Sequence, residues 1–238
     1  MKSSQQSVHM QESHIREPSL DDIRQALLGP LPGVDAHMKM APQPRPGWNR
    51  ELSLPADCRQ GAVLILLYPR YGRLYLVLTR RSDRVGSHKG QISLPGGAQE
   101  SNESLAQTAL RETWEELGVP SEDIEVMGKL TPLYTPPSNY CIHPFVAHRT
   151  ATPIFHPYSV EVAQVLEVAL GSLLDPAIRR VEYWADQRFD SPRRVPCFDI
   201  DGQVVWGATA MILSEFVSLL EQRRAAQDRN LSTRRDQV

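Results

Sequence analysis

The chain has 238 residues, of which 41% are hydrophobic and 23% charged, with a formal net charge of −2. That balance suits one globular domain with extensions, large enough to bury a core without staples. It excludes a global basic field for nucleic acid or an anionic membrane, leaving room only for a local anion site.

Residues 1–18 are polar and lack an apolar h-region, so they read as a disordered start and not as a signal peptide. Ser19 caps a short predicted helix from Leu20 to Leu28, with Asp21 and Asp22 in its first turn and Gly29-Pro30 as its stop. Residues 30–56 carry Pro42, Pro44, Pro46 and Pro55 and read as a wrapped arm without regular structure. Ala62–Leu67 and Leu74–Leu78 are apolar strands around the turn Pro69–Gly72, a hairpin buried on both faces. A loop follows from about Arg81 to Gly97. A helix is predicted from about Glu103 to Leu117, ended by Gly118 and Pro120.

Strands then span roughly Ile124–Tyr134 and Tyr140–His148. Gln164–Leu170 reads as a strand and Gly171–Leu174 as a short helix. Asp201-Gly202 marks a hairpin between Phe198–Ile200 and Gln203–Trp206. A last helix begins near Ala208 with an apolar set at helical period, and the polar tail from Arg223 is expected to fray. No second core or repeat is visible. One domain is therefore expected over residues 19–222, with 19–58 packed on it and 223–238 as a tail. The longest apolar run, Gly61 to Tyr68, is far too short to span a membrane. Cys58, Cys141 and Cys197 form neither a metal spacing nor a disulfide framework. They read as buried small hydrophobes in a reducing, cytoplasmic compartment.

The informative stretch is Gly97 to Val119, GAQESNESLAQTALRETWEELGV. On a helical wheel Leu105, Ala106, Ala109, Leu110, Thr113 and Leu117 gather on one side. Glu112, Glu115 and Glu116 gather in a neighbouring sector, within reach of one another. Three adjacent carboxylates repel and call for compensating positive charge. Hard divalent cations take oxygen ligands, and Mg²⁺ shares its sphere with water and substrate phosphates. Pro95-Gly96-Gly97, just before the helix, permits close backbone approach to a ligand. A solvated acidic face is the alternative reading of such a helix.

This segment resembles the Nudix box. Gly97, Glu103, Arg111, Glu112, Glu115, Glu116, Gly118 and Val119 fall on the pattern in register, and Thr113 stands where an aliphatic residue is usual. The resemblance implies an α/β/α sandwich with a mixed β-sheet and hydrolysis of a nucleoside diphosphate linked to another moiety. It implies Mg²⁺ or Mn²⁺ held chiefly by Glu112 and Glu116, with Glu115 as a further ligand or a water-orienting group. The Gly97 carbonyl would also touch metal, Arg111 would hold the glutamates, and Glu103 would support them.

Leu78-Thr79-Arg80-Arg81-Ser82, His88-Lys89-Gly90-Gln91 and Leu94-Pro95-Gly96-Gly97 resemble the extra motif of the coenzyme A pyrophosphatase branch. Leu94 replaces a phenylalanine, and Gly86 stands where an arginine or leucine is usual. Pro136–Asn139 and Trp206–Ala210 also resemble that branch. A diphosphate with a further phosphate needs several donors, for which Arg80, Arg81, His88 and Lys89 are candidates, and Gly96 and Gly97 are further candidate substrate-binding residues. Strand alternation should turn one of Arg80 and Arg81 away from the site, and His88 reads equally as a structural donor. Glu161 is a candidate general base beside the box glutamates, with an exposed loop glutamate as the alternative. The expected reaction cleaves coenzyme A or acyl-CoA; ADP-ribose or a dinucleotide is the rival substrate class, and a Nudix-fold module without turnover the rival function. No nucleic-acid or membrane partner is expected, and a homodimer is an open expectation.

Overall fold

A computed structural model describes residues 17–43, 54–83, 89–157, 160–185 and 191–235. His88 and Gly86, and the Pro44–Pro46 stretch, lie outside the described residues. Ser19 caps α1 (Leu20–Leu27) through a reciprocal bond with Asp22. The arm then forms α2 (Gly33–Lys39), which the density of prolines had hidden. Strands β1 (Arg59–Arg70) and β2 (Arg73–Arg81) make the expected hairpin, longer at both ends than the apolar runs alone. Two short strands, β3 (Ile92–Ser93) and β4 (Gly96–Ala98), lead into α3 (Leu105–Leu117).

After α3 come β5 (Ile124–Lys129), β6 (Leu133–Thr135) and β7 (Tyr140–Arg149). The single strand expected over Ile124–Tyr134 is therefore two. Next are β8 (Val162–Ala169) and α4 (Leu170–Leu174), close to expectation. The chain ends with β9 (Arg179–Trp184), β10 (Arg193–Ile200), β11 (Gln203–Trp206) and α5 (Gly207–Arg235). Helix α5 continues well past Arg223, so the expected fraying tail is helix instead.

The main sheet is mixed, with β1 parallel to β7 and its other pairs antiparallel. Its path is β3-β2-β1-β7-β5, with β4 on β1, β6 on β7 and β8 on β2. Alternation along β1 divides the core. Leu64, Leu66 and Tyr68 pack toward Ala109 and Leu117 of α3. Ile65 and Leu67 face the other side, where Phe216, Met211 and Leu213 of α5 close the layer. A second sheet, β11-β10-β9, adds Phe198, Ile200 and Val205 to the α5 side. The result is the α/β/α arrangement expected, with α3 the one helix on its face of the central sheet among the described residues.

One feature corrects the sequence reading. Cys58 and Cys141 are joined as a disulfide, with Cα atoms 5.7 Å apart, so they are not the isolated thiols expected of a reducing compartment. The parallel register of β1 on β7 brings them together across 83 residues. Cys197 alone is free and buried, and burial raises its thiol pKa. The N-terminal arm is anchored by Glu215 of α5, which is fully buried. Its carboxylate accepts from the Gly33 backbone at 3.0 Å, the Thr131 hydroxyl at 2.6 Å and the Thr131 backbone at 3.1 Å, and it pairs with His37 at 2.9 Å. No helix among the described residues is long and apolar enough to cross a membrane.

Candidate active site

Ser104 caps α3 and forms a capping box with Gln107, so the helix starts two residues after the Glu103 expected from the sequence. Gly118 ends it in the left-handed region at φ 69° and donates its N–H to the Trp114 carbonyl. Thr113, the departure from the box pattern, is wholly buried and returns its hydroxyl to the Ala109 carbonyl at 2.7 Å. The apolar side of α3 is thereby satisfied, and its glutamates are left to the neighbouring sector.

Two glycines let the strand before α3 press against these carboxylates. Gly96 has φ 152° and lies against the Ala62 carbonyl and Val63, where a Cβ would collide with backbone. A Cβ on Gly97 would collide with the carboxylate of Glu112. Backbone and glutamate therefore share one small space, and only glycine leaves it open.

Arg111 is the hub of the charge network. It meets Glu103 through two hydrogen bonds of 3.1 and 3.0 Å and the Ala98 carbonyl at 3.0 Å. Its Nη1 reaches Glu112 and Glu115, each at 3.1 Å. This grip holds the Glu103 pKa down to about 2, chiefly through the hydrogen bonds from Arg111 and then one from the Glu100 backbone. The guanidinium in turn is held firmly protonated by Glu103.

Glu116 has no such partner. It is 6% exposed, and its Oε2 is buried without a hydrogen bond. Burial, then the charge of Glu112, pushes its pKa up to about 8, against the opposing pull of Arg81 and a hydrogen bond from the Gly96 backbone. Burial also raises Glu112, against Arg111. Glu115 is half exposed. Glu161, in the turn before β8, comes up to the same cluster. Its carboxylate accepts from Arg81 Nη2 at 3.1 Å, its backbone carbonyl accepts from Ser82 N–H at 2.6 Å, and its charge acts on both Glu112 and Glu116.

Arg81 and Arg80 part as alternation requires. Arg81 sits over the carboxylates, with its Nε buried and unpartnered. Arg80 follows Leu76 and Leu78 toward the opposite face of the sheet. The structure thus brings Gly96, Gly97, Arg111, Glu112, Glu115, Glu116, Glu161 and Arg81 together. What the sequence reading missed was the Ala98 carbonyl as a brace for Arg111 and the Glu103–Thr108 contact of 2.9 Å. Both depend on the path of β4, which no residue spacing announces.

The donors fit a hard divalent cation. Glu116 carries an orphaned buried carboxylate oxygen, Glu112 is a second desolvated carboxylate, and the Gly97 backbone packs against Glu112. Among the described residues, no three acidic, histidine or cysteine side chains stand close enough together to hold a metal ion by themselves.

The chain is similar to known proteins. The NUDIX domain family model matches residues 59–184. A Yersinia enterocolitica protein named uncharacterized Nudix hydrolase NudL is 36% identical over 191 residues, covering 79% of this chain and 88% of its own. A Pectobacterium atrosepticum protein of the same name is 36% identical over 170 residues, covering 69% and 84%. Among solved structures, a Nudix hydrolase from M. smegmatis, RenU, is 18% identical with a TM-score of 0.46, covering 71% of this chain and 86% of that one. The chain belongs to the Nudix hydrolase family, whose members act as pyrophosphohydrolases on phosphorus-containing anhydrides.

Proposed function

We propose that this Nudix hydrolase cleaves the diphosphate bond of coenzyme A or an acyl-CoA, giving adenosine 3′,5′-bisphosphate and 4′-phosphopantetheine or its acylated form. The observation that carries this reading is the position of Arg81. The strand holding Leu78–Ser82, the segment outside the box that resembles the coenzyme A pyrophosphatase branch, delivers a guanidinium to Glu116 and Glu161. An arginine there supplies planar donors for a diphosphate where carboxylates alone would repel it.

In this reading Glu112 and Glu116, with the Gly97 carbonyl, hold Mg²⁺ or Mn²⁺. When bound, the ion neutralises diphosphate charge and acidifies a water. Arg111 positions Glu112 and Glu115 through its contacts of 3.1 Å. Glu161 or Glu115 takes the proton of the attacking water. Glu161 is the favoured base because Arg81 orients it beside the cluster while leaving it half exposed. Gly96 and Gly97 line the approach of the phosphates; His88, outside the described residues, stays a candidate donor.

A substrate panel with Mg²⁺, read by product chromatography, tests the proposal. Coenzyme A or acyl-CoA should turn over fastest and yield the two products named. Far faster turnover of ADP-ribose or a dinucleotide would overturn the substrate assignment. Glu116→Gln should lose at least ~100-fold in kcat with an unchanged circular dichroism spectrum. Equal, negligible activity in variant and parent would instead mark a binding module.

A further inference from the structure

We propose that the free edge of β9 is a dimer interface, to which a second copy of this chain adds its own β9 antiparallel across a two-fold axis at Val181. The site lies on the α5 side of the central sheet, away from α3, so this inference stands apart from the reaction proposed above. Strand β9 ends the three-stranded sheet, and among the described residues β10 is its only strand neighbour. Val181 is 41% exposed and Tyr183 69%. An edge carrying exposed aliphatic and aromatic side chains is a template for pairing.

The backbone fixes which register is possible. Arg194 of β10 stands opposite Tyr183, yet it exchanges both its backbone bonds, of 2.8 and 3.0 Å, with Gln43 on its other side. A strand residue turns its N–H and C=O the same way, so Arg194 and Tyr183 form a non-hydrogen-bonded pair. Tyr183 therefore points both groups outward, and by alternation so do Val181 and Arg179. A partner strand must bond these three residues, so its odd-numbered positions face odd-numbered ones. An axis at Arg180 or at Glu182 meets that condition but sets identical charges against each other. An axis at Val181 meets it without conflict. Val181 then faces its own copy, Arg180 faces Glu182 of the partner subunit and the reverse, and Arg179 faces Tyr183 of the partner subunit. The strand is complementary to itself, as an isologous contact requires.

Side chains are already placed for this pairing. Arg180 is held by Asp199 at 2.7 Å while its side chain stays 63% exposed, and Glu182 is held by the Trp184 indole N–H at 2.6 Å. Beside the strand, Arg179, Arg180, Val181 and Phe198, with Met40 and Val217, line a cavity of about 250 Å³. The partner's Tyr183 would lie opposite Arg179, bringing an aromatic ring to the mouth of an apolar-floored slot. Tyrosine and arginine are the side chains that most often anchor such contacts.

Sedimentation velocity and native mass spectrometry of the full chain test the proposal. The parent chain should run at twice the chain mass at micromolar concentration. Arg180→Glu alone and Glu182→Arg alone each set like charges opposite one another and should raise the dissociation constant at least about tenfold. Mixing these two variants should restore a heterodimer, because each reversed charge then meets its opposite; this rescue excludes misfolding as the cause. Val181→Pro, which removes the central N–H, should leave a monomer. A monomeric parent, a dimer indifferent to both charge reversals, or variants that fail to pair on mixing would each overturn the interface.

Discussion

Arg111 grips Glu103 with paired hydrogen bonds, Nε to Oε2 at 3.1 Å and Nη2 to Oε1 at 3.0 Å, while its remaining nitrogen spans Glu112 and Glu115. A planar guanidinium can face three carboxylates and a backbone carbonyl at once; an ammonium cannot. Arg111→Lys keeps the charge but loses the fork. It should lower kcat by about 10- to 100-fold, because misplacing a positioned group by about 1 Å has that effect. KM should change little, since Arg111 is spent on the protein's own glutamates. A large rise in KM with kcat intact would instead put Arg111 on the substrate.

The shared space of Gly97 and Glu112 yields a sharper expectation. Gly97→Ala adds a methyl where the Glu112 carboxylate sits. The flexible end of a side chain can move aside, so the thermal midpoint should hold nearly steady. Metal affinity should fall by about 10- to 100-fold, the range seen when a ligand's support is disturbed. Titration with Mn²⁺, followed by calorimetry or electron paramagnetic resonance, reads this directly. Unchanged Mn²⁺ affinity would remove Glu112 from the metal site.

Much of this site could be read along one dimension. A helix turns fixed spacing into fixed geometry, so Glu112, Glu115 and Glu116 had to share a sector, and Gly118 had to mark an end. Strand alternation likewise separated Arg81 from Arg80. What stayed hidden depends on contacts distant in the chain. Helix α2 shows no apolar stripe and is held by His37 on Glu215 and by the Ala36 carbonyl accepting from Ser214. Strand β9, Arg-Arg-Val-Glu-Tyr-Trp, is an edge whose charges mask its alternation. The Cys58–Cys141 pair follows from a parallel register that no local pattern encodes.

The Glu103 carboxyl makes stability depend on acid in a definite direction. Its pKa is held down to about 2 in the folded chain, mainly by Arg111, against an ordinary value of 4.5. The unfolded chain therefore takes up this proton first as pH falls. The stabilisation is complete above about pH 4.5 and disappears as pH drops through about 2. Glu103→Gln should be less stable than the parent at pH 7, and the difference should shrink below pH 4.5. Urea melts at several pH values would show it. A gap that widens on acidification would contradict the assignment.

Glu215 offers the strongest test that the arm before residue 59 belongs to the domain. Its fully buried carboxylate satisfies Gly33, His37 and Thr131 together, tying α2 and the turn after β5 to α5. Glu215→Ala leaves those buried donors without acceptors. Leaving a buried polar group unsatisfied costs about 1–3 kcal/mol. Glu215→Gln keeps one acceptor oxygen and should lose less. If the arm folds as one unit with the sheet, both variants should unfold in a single transition at a lower denaturant midpoint. A separate early transition, with the main one unmoved, would show that the arm is docked on the domain and not part of its cooperative core.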